Sequence, residues 1–214
     1  MYQKLIVMGD SITRGTYTGE HDDCPKSIAS PCFAELVQVG LQIPEMKNYG
    51  MNGISVSRTT YQSPDYAISL YIDQVETGDI LLVAAGTNDY GTNVELGSPE
   101  DKEDVSFYGG LNVLYKKITE KFKGAKVYIV SPIKRLGDKN QKGYTLEQYK
   151  QAIAYRAAEY GFSVIDGYNV AINPSDSENR KAYILDGLHP NTAGHKLYAE
   201  YILEKINEYE NGNL

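Results

Sequence analysis

Three side chains of this sequence have the types that nucleophilic catalysis requires. Ser11 follows a short apolar run at residues 5 to 8, and Asp186 and His189 stand three positions apart near the other end of the chain. A histidine can take the proton of a serine hydroxyl, and a carboxylate beside the ring can orient it and stabilise its charged form. We therefore predict that Ser11 is a nucleophile, His189 its general base and Asp186 the orienting carboxylate.

Attack on an acyl group also requires donors that stabilise the negative charge on the carbonyl oxygen. The candidate donors are the backbone N–H groups of Ser11 and Gly53 and the side-chain amide of Asn88. Glycine at position 53 would let the backbone approach closely. Gly50 is an alternative source of the same N–H, and the sequence leaves the choice open.

Each candidate also has a purely structural interpretation. Ser11 could cap a helix, Asn88 could form an Asx-turn, and Gly53 could belong to an ordinary turn. Asp186 and His189 could form a surface turn that leads into a helix. These interpretations suffice for single residues, but together they would require several coincidences, so the set favours a catalytic site.

The elements that must position these residues alternate regularly along the chain. Apolar runs indicate strands at 5–8, 79–85, 125–130 and 162–166, and residues 47–50 are a weaker strand signal. Helical spacing of apolar residues indicates helices at 33–41, 66–75, 105–123, 145–160 and from about 192, and Ser30-Pro31 is interpreted as the N-cap and first helical position of the first of them. Such alternation predicts one α/β domain over residues 1–214, with a five-stranded parallel sheet covered on both faces and right-handed crossovers. We expect the flavodoxin-like strand order 2-1-3-4-5.

This arrangement would bring the candidate residues together. Ser11, Gly53 and Asn88 follow the first, second and third predicted strands, and Asp186 and His189 precede the last helix. Ligands of open α/β sheets bind at the carboxyl ends of the strands. We therefore expect one catalytic rim at that edge.

The polar motifs are similar to the four sequence blocks of the SGNH hydrolases, also called GDSL esterases and lipases. The matching segments are Gly9-Asp10-Ser11-Ile12, Asn48-Tyr49-Gly50-Met51-Asn52-Gly53, Gly86-Thr87-Asn88-Asp89 and Asp186-Gly187-Leu188-His189-Pro190. The first block departs from the pattern by having Ile12 in place of leucine, and the second block is the weakest match. The resemblance implies a three-layer α/β/α sandwich, and hydrolysis of an ester through an acyl-serine intermediate. Asp10 borders the nucleophile, and we expect it to brace the turn through the backbone.

Composition limits the partners. The formal net charge of −7 and the lack of a basic block argue against a nucleic-acid partner. The longest apolar run, residues 80–85, is too short to span a membrane. The start of the chain shows no signal-peptide pattern, which favours a cytoplasmic location, although export of a trimmed form stays open. Cys24 and Cys32 are either two free thiols or one bridge, and the oligomeric state is not predicted.

The substrate is less well determined by the sequence. Polar loops at 16–29, 91–104 and 133–143 are expected to shape the binding site, and Tyr90, Arg135 and Tyr144 are candidate substrate contacts. They favour a small-molecule or glycan ester with a short acyl group, such as an acetyl on a carbohydrate. Lys134 and Arg135 have the alternative interpretation of solvated loop charges.

Three other functions are alternatives to this one. A lysophospholipase or thioesterase could use the same site. A metal-dependent phosphoesterase could take Asp10, Asn88, Asp89, Asp186 and His189 as ligands, but two-metal sites need more histidines than this one would have, so no metal and no cofactor are expected. The acidic segment 20–24 is interpreted as a solvated loop rather than a metal site. A non-catalytic flavodoxin-like binding module is the third alternative.

Overall fold

A parallel sheet forms the centre of the computed structural model, which describes residues 2–18, 26–58 and 66–212. In chain order the strands are β1 (Lys4–Gly9), β2 (Thr16–Thr18), β3 (Lys26–Ile28), β4 (Glu45–Gly50), β5 (Ile80–Ala84), β6 (Lys126–Val130) and β7 (Ser163–Ile165). The five-stranded sheet has the order β4-β1-β5-β6-β7, and every neighbouring pair is parallel. When only these strands are counted, the order is 2-1-3-4-5, which confirms the prediction. β2 and β3 form a separate antiparallel pair.

Helices flank this sheet. They are α1 (Ser11–Arg14), α2 (Phe33–Gly40), α3 (Ile68–Tyr71), α4 (Thr87–Gly91), α5 (Phe107–Lys121), α6 (Leu146–Glu159), α7 (Ser177–Tyr183) and α8 (Thr192–Glu210), with 3₁₀ turns at Ile72–Gln74 and Gly167–Asn169. No helix in the described ranges is long and apolar enough to cross a membrane.

The two faces of the sheet bury two separate apolar cores. Successive strand residues point to opposite faces, so Ile6 and Met8 of β1 face α3, α5 and α6, whereas Leu5 and Val7 face α2 and α8. All four side chains are fully buried. A strand that is apolar on both faces is typical of a parallel sheet between two helical layers, and the predicted α/β/α sandwich is confirmed.

Some predicted elements differ in extent. The helix expected over 66–75 is only α3 and a 3₁₀ turn, and the helix expected after Ser30-Pro31 begins at Phe33, with Cys32 at its N-cap. The region 16–29, which was expected to be a loop, contains β2 and β3. α4 and α7 were not predicted. Cys32 is a buried free thiol, whereas Cys24 and the acidic segment 20–24 lie outside the described residues.

The register of the sheet aligns the ends of three strands. Gly9, the last residue of β1, pairs with Gly50 at the end of β4 and with Ala84 at the end of β5. The segments that follow these residues therefore start side by side at the carboxyl edge, with β1 in the middle. This alignment positions the candidate site.

Candidate active site

The turn between β1 and α1 presents Ser11. Asp10 is the N-cap of α1, and its Oδ1 accepts a hydrogen bond of 2.9 Å from the backbone N–H of Ile12. A Cβ at Gly9 would lie 2.1 Å from Thr13 Oγ1 and 2.2 Å from the carbonyl oxygen of Ala84. Only glycine fits there, so the absence of a side chain lets α1 pack closely against the end of β5. Asp10 makes the backbone contact that was expected of a brace.

Ser11, His189 and Asp186 form a hydrogen-bonded series. Ser11 Oγ lies 2.9 Å from His189 Nε2, and His189 Nδ1 lies 2.7 Å from Asp186 Oδ2. Ser11 is only 6 % exposed and His189 only 4 %. This sequence of contacts is the one that a serine nucleophile, its base and an orienting carboxylate require.

Asp186 is held in its ionised form. Its Oδ1 accepts backbone hydrogen bonds of 2.9 Å from Leu188 and 2.7 Å from His189. Burial is the largest single influence on its pKa and raises it, but the hydrogen bonds from the His189 ring and from the two backbone N–H groups together lower the pKa from 3.8 to about 2. An ionised Asp186 accepts the Nδ1–H of His189, which leaves Nε2 free to accept the proton of Ser11.

The segment that carries Asp186 and His189 is fixed at both ends. Gly187 has a φ of 74°, which favours glycine, and its carbonyl oxygen accepts a 2.9 Å hydrogen bond from the backbone N–H of Leu136 in the loop after β6. Asn191 caps α8 by accepting a 3.0 Å bond from the N–H of Gly194, and its own N–H donates to the carbonyl of Tyr183 at 2.8 Å. The histidine is therefore presented by well-anchored backbone.

The candidate oxyanion donors flank the end of β1. Gly53 follows β4, Asn88 lies in α4 after β5, and the Asn88 Nδ2 donates a 2.8 Å hydrogen bond to the carbonyl oxygen of Ile54. This bond joins the two segments on either side of Ser11. The backbone N–H groups of Ser11 and Gly53 have no acceptor within the described part of the chain, so both remain available for a ligand.

The structure separates the roles of the two neighbouring glycines. The N–H of Gly50 already donates to Asn48 Oδ1 at 2.9 Å, and a Cβ at Gly50 would lie 2.3 Å from the backbone nitrogen of Arg14. Gly50 therefore serves close packing of β4 against α1. Gly53, with a φ of 76°, is the glycine whose N–H is unengaged, which favours it over Gly50.

The sequence model of the GDSL-like lipase/acylhydrolase family matches residues 7–197. The chain belongs to this family. Its members are acylhydrolases, so the protein acts on esters. No curated protein sequence matches the chain.

Solved structures share the fold of this GDSL-like acylhydrolase. A protein from Lactobacillus plantarum superposes with a TM-score of 0.83 at 23 % identity, covering 97 % of each chain. A structure described as a possible lipase from Chitinophaga pinensis gives 0.74 at 19 % identity, over 98 % of this chain and 99 % of that one. The aryl esterase of M. smegmatis gives 0.70 at 16 % identity, over 96 % and 99 %. At these identities the likeness concerns the fold alone.

Asp89 has a structural role that sequence reasoning did not assign. In this GDSL-like chain its carboxylate is fully buried and accepts hydrogen bonds from the backbone N–H of Val56 at 2.8 Å and of Ser57 at 3.0 Å, and from the Ser57 hydroxyl. Burial raises the pKa of Asp89, and these hydrogen bonds oppose that effect. Asp89 thus ties the segment after β4 to α4. The only signal in the sequence was its place beside Asn88.

The three candidate substrate residues lie in different surroundings. Tyr90 is buried and its hydroxyl donates to the carbonyl of Gly137 at 3.0 Å, while the Tyr144 hydroxyl donates to Glu95 Oε2 at 2.8 Å. Both hydroxyls are engaged within the protein. Arg135 contacts the segment that carries Asn88, because its Nη1 donates to the carbonyl oxygen of Thr87 at 2.9 Å.

Among the described residues, no group of three or more His, Cys, Asp or Glu side chains is arranged to hold a metal ion. Asp89 uses both carboxylate oxygens for hydrogen bonds to the segment after β4.

Proposed function

We propose that this protein is a serine esterase that hydrolyses a carboxylic ester with a short acyl group through an acyl-serine intermediate. The observation that carries the proposal is the pair of contacts that His189 makes, 2.9 Å to Ser11 Oγ and 2.7 Å to Asp186 Oδ2. The alcohol part of the ester is expected to be polar, and an O-acetylated carbohydrate is the class that we favour.

The first half of the reaction forms the acyl-enzyme. Ser11 Oγ attacks the carbonyl carbon of the ester while His189 Nε2 takes the hydroxyl proton. The negative charge that develops on the carbonyl oxygen is met by the N–H groups of Ser11 and Gly53 and by the amide of Asn88. Collapse of the tetrahedral intermediate breaks the bond to the alcohol oxygen, which receives the proton from His189.

The second half repeats the same proton transfers with water. His189 takes a proton from the attacking water molecule, and the oxygen forms a bond to the acyl carbon. The bond to Ser11 Oγ then breaks, and Ser11 recovers its proton from His189. The acid product leaves, and the enzyme returns to its starting state.

Asn88 can contribute although it is already engaged. A primary amide carries two N–H donors, and the bond from Asn88 Nδ2 to the carbonyl of Ile54 uses one of them. That bond also fixes the orientation of the amide plane. The second N–H is then presented as a fixed donor, which is the arrangement that stabilises a developing oxyanion best.

Restricted access to the nucleophile supports the short acyl group. Ser11 is 6 % exposed and His189 is 4 % exposed, so little space is open around the reacting atoms. The loop after β6 also packs closely there, since the Leu136 N–H bonds to the carbonyl of Gly187. A panel of p-nitrophenyl esters should show kcat/KM falling as the acyl chain lengthens from acetate. A maximum at long chains would instead favour the lysophospholipase or thioesterase alternative.

Replacement of the nucleophile tests the proposal. Ser11→Ala should fold like the native protein but lose at least about 10³-fold in kcat for p-nitrophenyl acetate. Ser131→Ala is the matched control, because Ser131 is also a buried serine that follows a strand of the sheet, and its hydroxyl contacts Asp166 at 3.1 Å. It should stay active. Equal turnover by Ser11→Ala and the native protein would refute the proposal.

A further inference from the structure

A polar groove opens beside the candidate active site. Its volume is about 500 Å³, and its walls come from the loop after β6, the start of α6 and the segment after β7. Lys134, Arg135, Tyr168 and Asn173 are among the residues that line it. This size falls within the range of small-molecule sites in proteins, and the groove lies at the same carboxyl edge of the sheet as Ser11.

Two positive charges of the groove lack an ion-pair partner. Lys134 Nζ lies 5.3 Å from the centre of the Tyr168 ring, and neither Lys134 nor Arg135 forms an ion pair with a carboxylate in the described ranges. The guanidinium of Arg135 lies 5.3 Å from the centre of the Tyr90 ring, and the Nε of Arg135 is buried without a partner. Burial lowers the pKa of Arg135, and the nearby charges of Asp10 and Asp186 offset only part of this effect.

The two carboxylates that line the groove, Asp138 and Glu147, do not form ion pairs with Lys134 or Arg135. Glu147 is paired with Lys150 Nζ at 2.9 Å, and Lys150 also contacts Asp166 at 3.0 Å. Asp138 is exposed and its charge is well solvated. In a chain with a net charge of −7, two unpaired cations in one groove are suited to an anionic ligand.

The position of the groove relates it to the ester. β6 lies two strands from β1 in the sheet, which corresponds to a lateral distance of about 10 Å. Arg135 lies between the two regions, because it lines the groove and also bonds to Thr87, the residue before Asn88. A ligand group in the groove would therefore belong to a part of the substrate about one sugar unit away from the ester carbon.

We propose that this groove binds a carboxylate or phosphate group on the alcohol part of the ester, so that the preferred substrate is an acylated acidic saccharide of at least two units. The proposal rests on the proposed serine esterase function. Lys134 is the residue that determines the preference for the negative charge. Arg135 lines the groove and also contacts the segment that carries Asn88, so it connects the groove with the catalytic groups.

The test compares O-acetylated disaccharides that carry a neutral, carboxylate or phosphate group at C6. The probes are O-acetylated galactobiose, O-acetylated digalacturonate and O-acetylated galactobiose carrying a 6-phosphate. We expect kcat/KM to be about tenfold higher for the digalacturonate, the phosphate or both than for the neutral disaccharide, which is the effect of one charge-assisted contact. Lys134→Glu should abolish or invert this ratio. Lys139→Glu is the control, because Lys139 is an exposed lysine of the same loop that does not line the groove, and the ratio should persist.

The outcomes separate this proposal from the esterase proposal. A gain with only one of the two anions assigns the site to that anion. Equal kcat/KM for all three probes, or a gain that survives Lys134→Glu, overturns the groove proposal while Ser11-dependent hydrolysis of p-nitrophenyl acetate can still stand. Calorimetric binding of non-acetylated digalacturonate, galactobiose and galactobiose 6-phosphate to Ser11→Ala gives a readout without turnover. At least fivefold tighter binding of digalacturonate or of the phosphorylated galactobiose is expected, and equal binding of all three overturns the proposal.

Discussion

Replacing Asp186 with asparagine should disable the general base while leaving the fold almost intact. In the native protein the ionised Asp186 Oδ2 accepts a 2.7 Å hydrogen bond from His189 Nδ1. An amide NH₂ group at that position would donate to Nδ1 instead, so the ring proton would move to Nε2. His189 could then no longer accept the proton of Ser11, and we expect kcat to fall by about 10³–10⁴.

The expected loss of stability is much smaller. Lowering the pKa of Asp186 from 3.8 to about 2 corresponds to about 2 kcal/mol in favour of the folded state. Because the folded pKa lies below the unfolded one, this contribution is present above pH 3.8 and is lost as the pH falls through about 2. The amide oxygen of Asp186→Asn can still accept the backbone N–H groups of Leu188 and His189. The free energy of unfolding at neutral pH should therefore fall by no more than about 2 kcal/mol.

The assay is hydrolysis of p-nitrophenyl acetate, with urea unfolding measured on the same samples. Asp176→Asn provides the control, because Asp176 caps α7 with a 2.8 Å bond from the N–H of Asn179, a role that asparagine fills equally well. It should retain native kcat. A folded Asp186→Asn variant with kcat within tenfold of the native value would refute the assignment of Asp186 as the orienting carboxylate.

Three further predictions concern one donor and two buried titratable groups. Asn88→Ala should lower kcat for p-nitrophenyl acetate by about 10²–10³, and a change below threefold would contradict its role as an oxyanion donor. Burial raises the pKa of Asp10 from 3.8 to about 6, so its contribution to stability is present below pH 3.8 and lost as the pH rises through 6. Asp10→Asn keeps an acceptor for the Ile12 N–H. As the pH rises from 4 to 7, the free energy of unfolding of the native protein, measured with urea, should fall by about 2–3 kcal/mol relative to that of this variant. Parallel pH dependences of the two free energies would contradict the prediction. His195 is fully buried, its Nδ1 accepts the Phe33 N–H at 3.3 Å, and burial lowers its pKa from 6.5 to about 4. Its neutral form stabilises the fold above pH 6.5, and this contribution is lost as the pH falls through 4. Between pH 7 and 4.5, the free energy of unfolding of the native protein should therefore fall by about 2–3 kcal/mol more than that of His195→Asn. The same pH dependence in both proteins would show that His195 does not titrate in this way.

The long elements could be predicted because their apolar patterns are local. Strands that are buried on both faces appear as continuous apolar runs, and α5, α6 and α8 repeat apolar residues at helical spacing. The short elements lack such a signal. α7 has no buried residue, and α4 begins after Gly86 without a side-chain cap. The pair of β2 and β3 spans only three residues on each side, so its stability depends on the rest of the protein.

The hydrogen-bond partners of the candidate substrate residues could be found only from the structure. Tyr90 and Tyr144 are polar-tipped side chains near predicted loops, and the sequence does not show where their hydroxyl groups point. The fold directs them to the carbonyl of Gly137 and to the carboxylate of Glu95. Hydrogen bonds between residues almost fifty positions apart cannot be read from local spacing.

By itself, the sequence determined the contacts that are local in the chain. Asp186 and His189 are three residues apart, so one turn of backbone is enough to place the carboxylate against both the ring and its own N–H. The cap of α1 by Asp10 is local in the same way. Only the tertiary structure could decide the rest. Ser11 and His189 are separated by 178 residues, and they meet because the strand order places β1 between β4 and β5 and because α8 packs against the face of the sheet that carries Leu5 and Val7. The pairing of β4 with β1 also brings Gly50 against the backbone of α1. Such close approach of two backbones depends on which strands are neighbours, and the sequence alone does not show this.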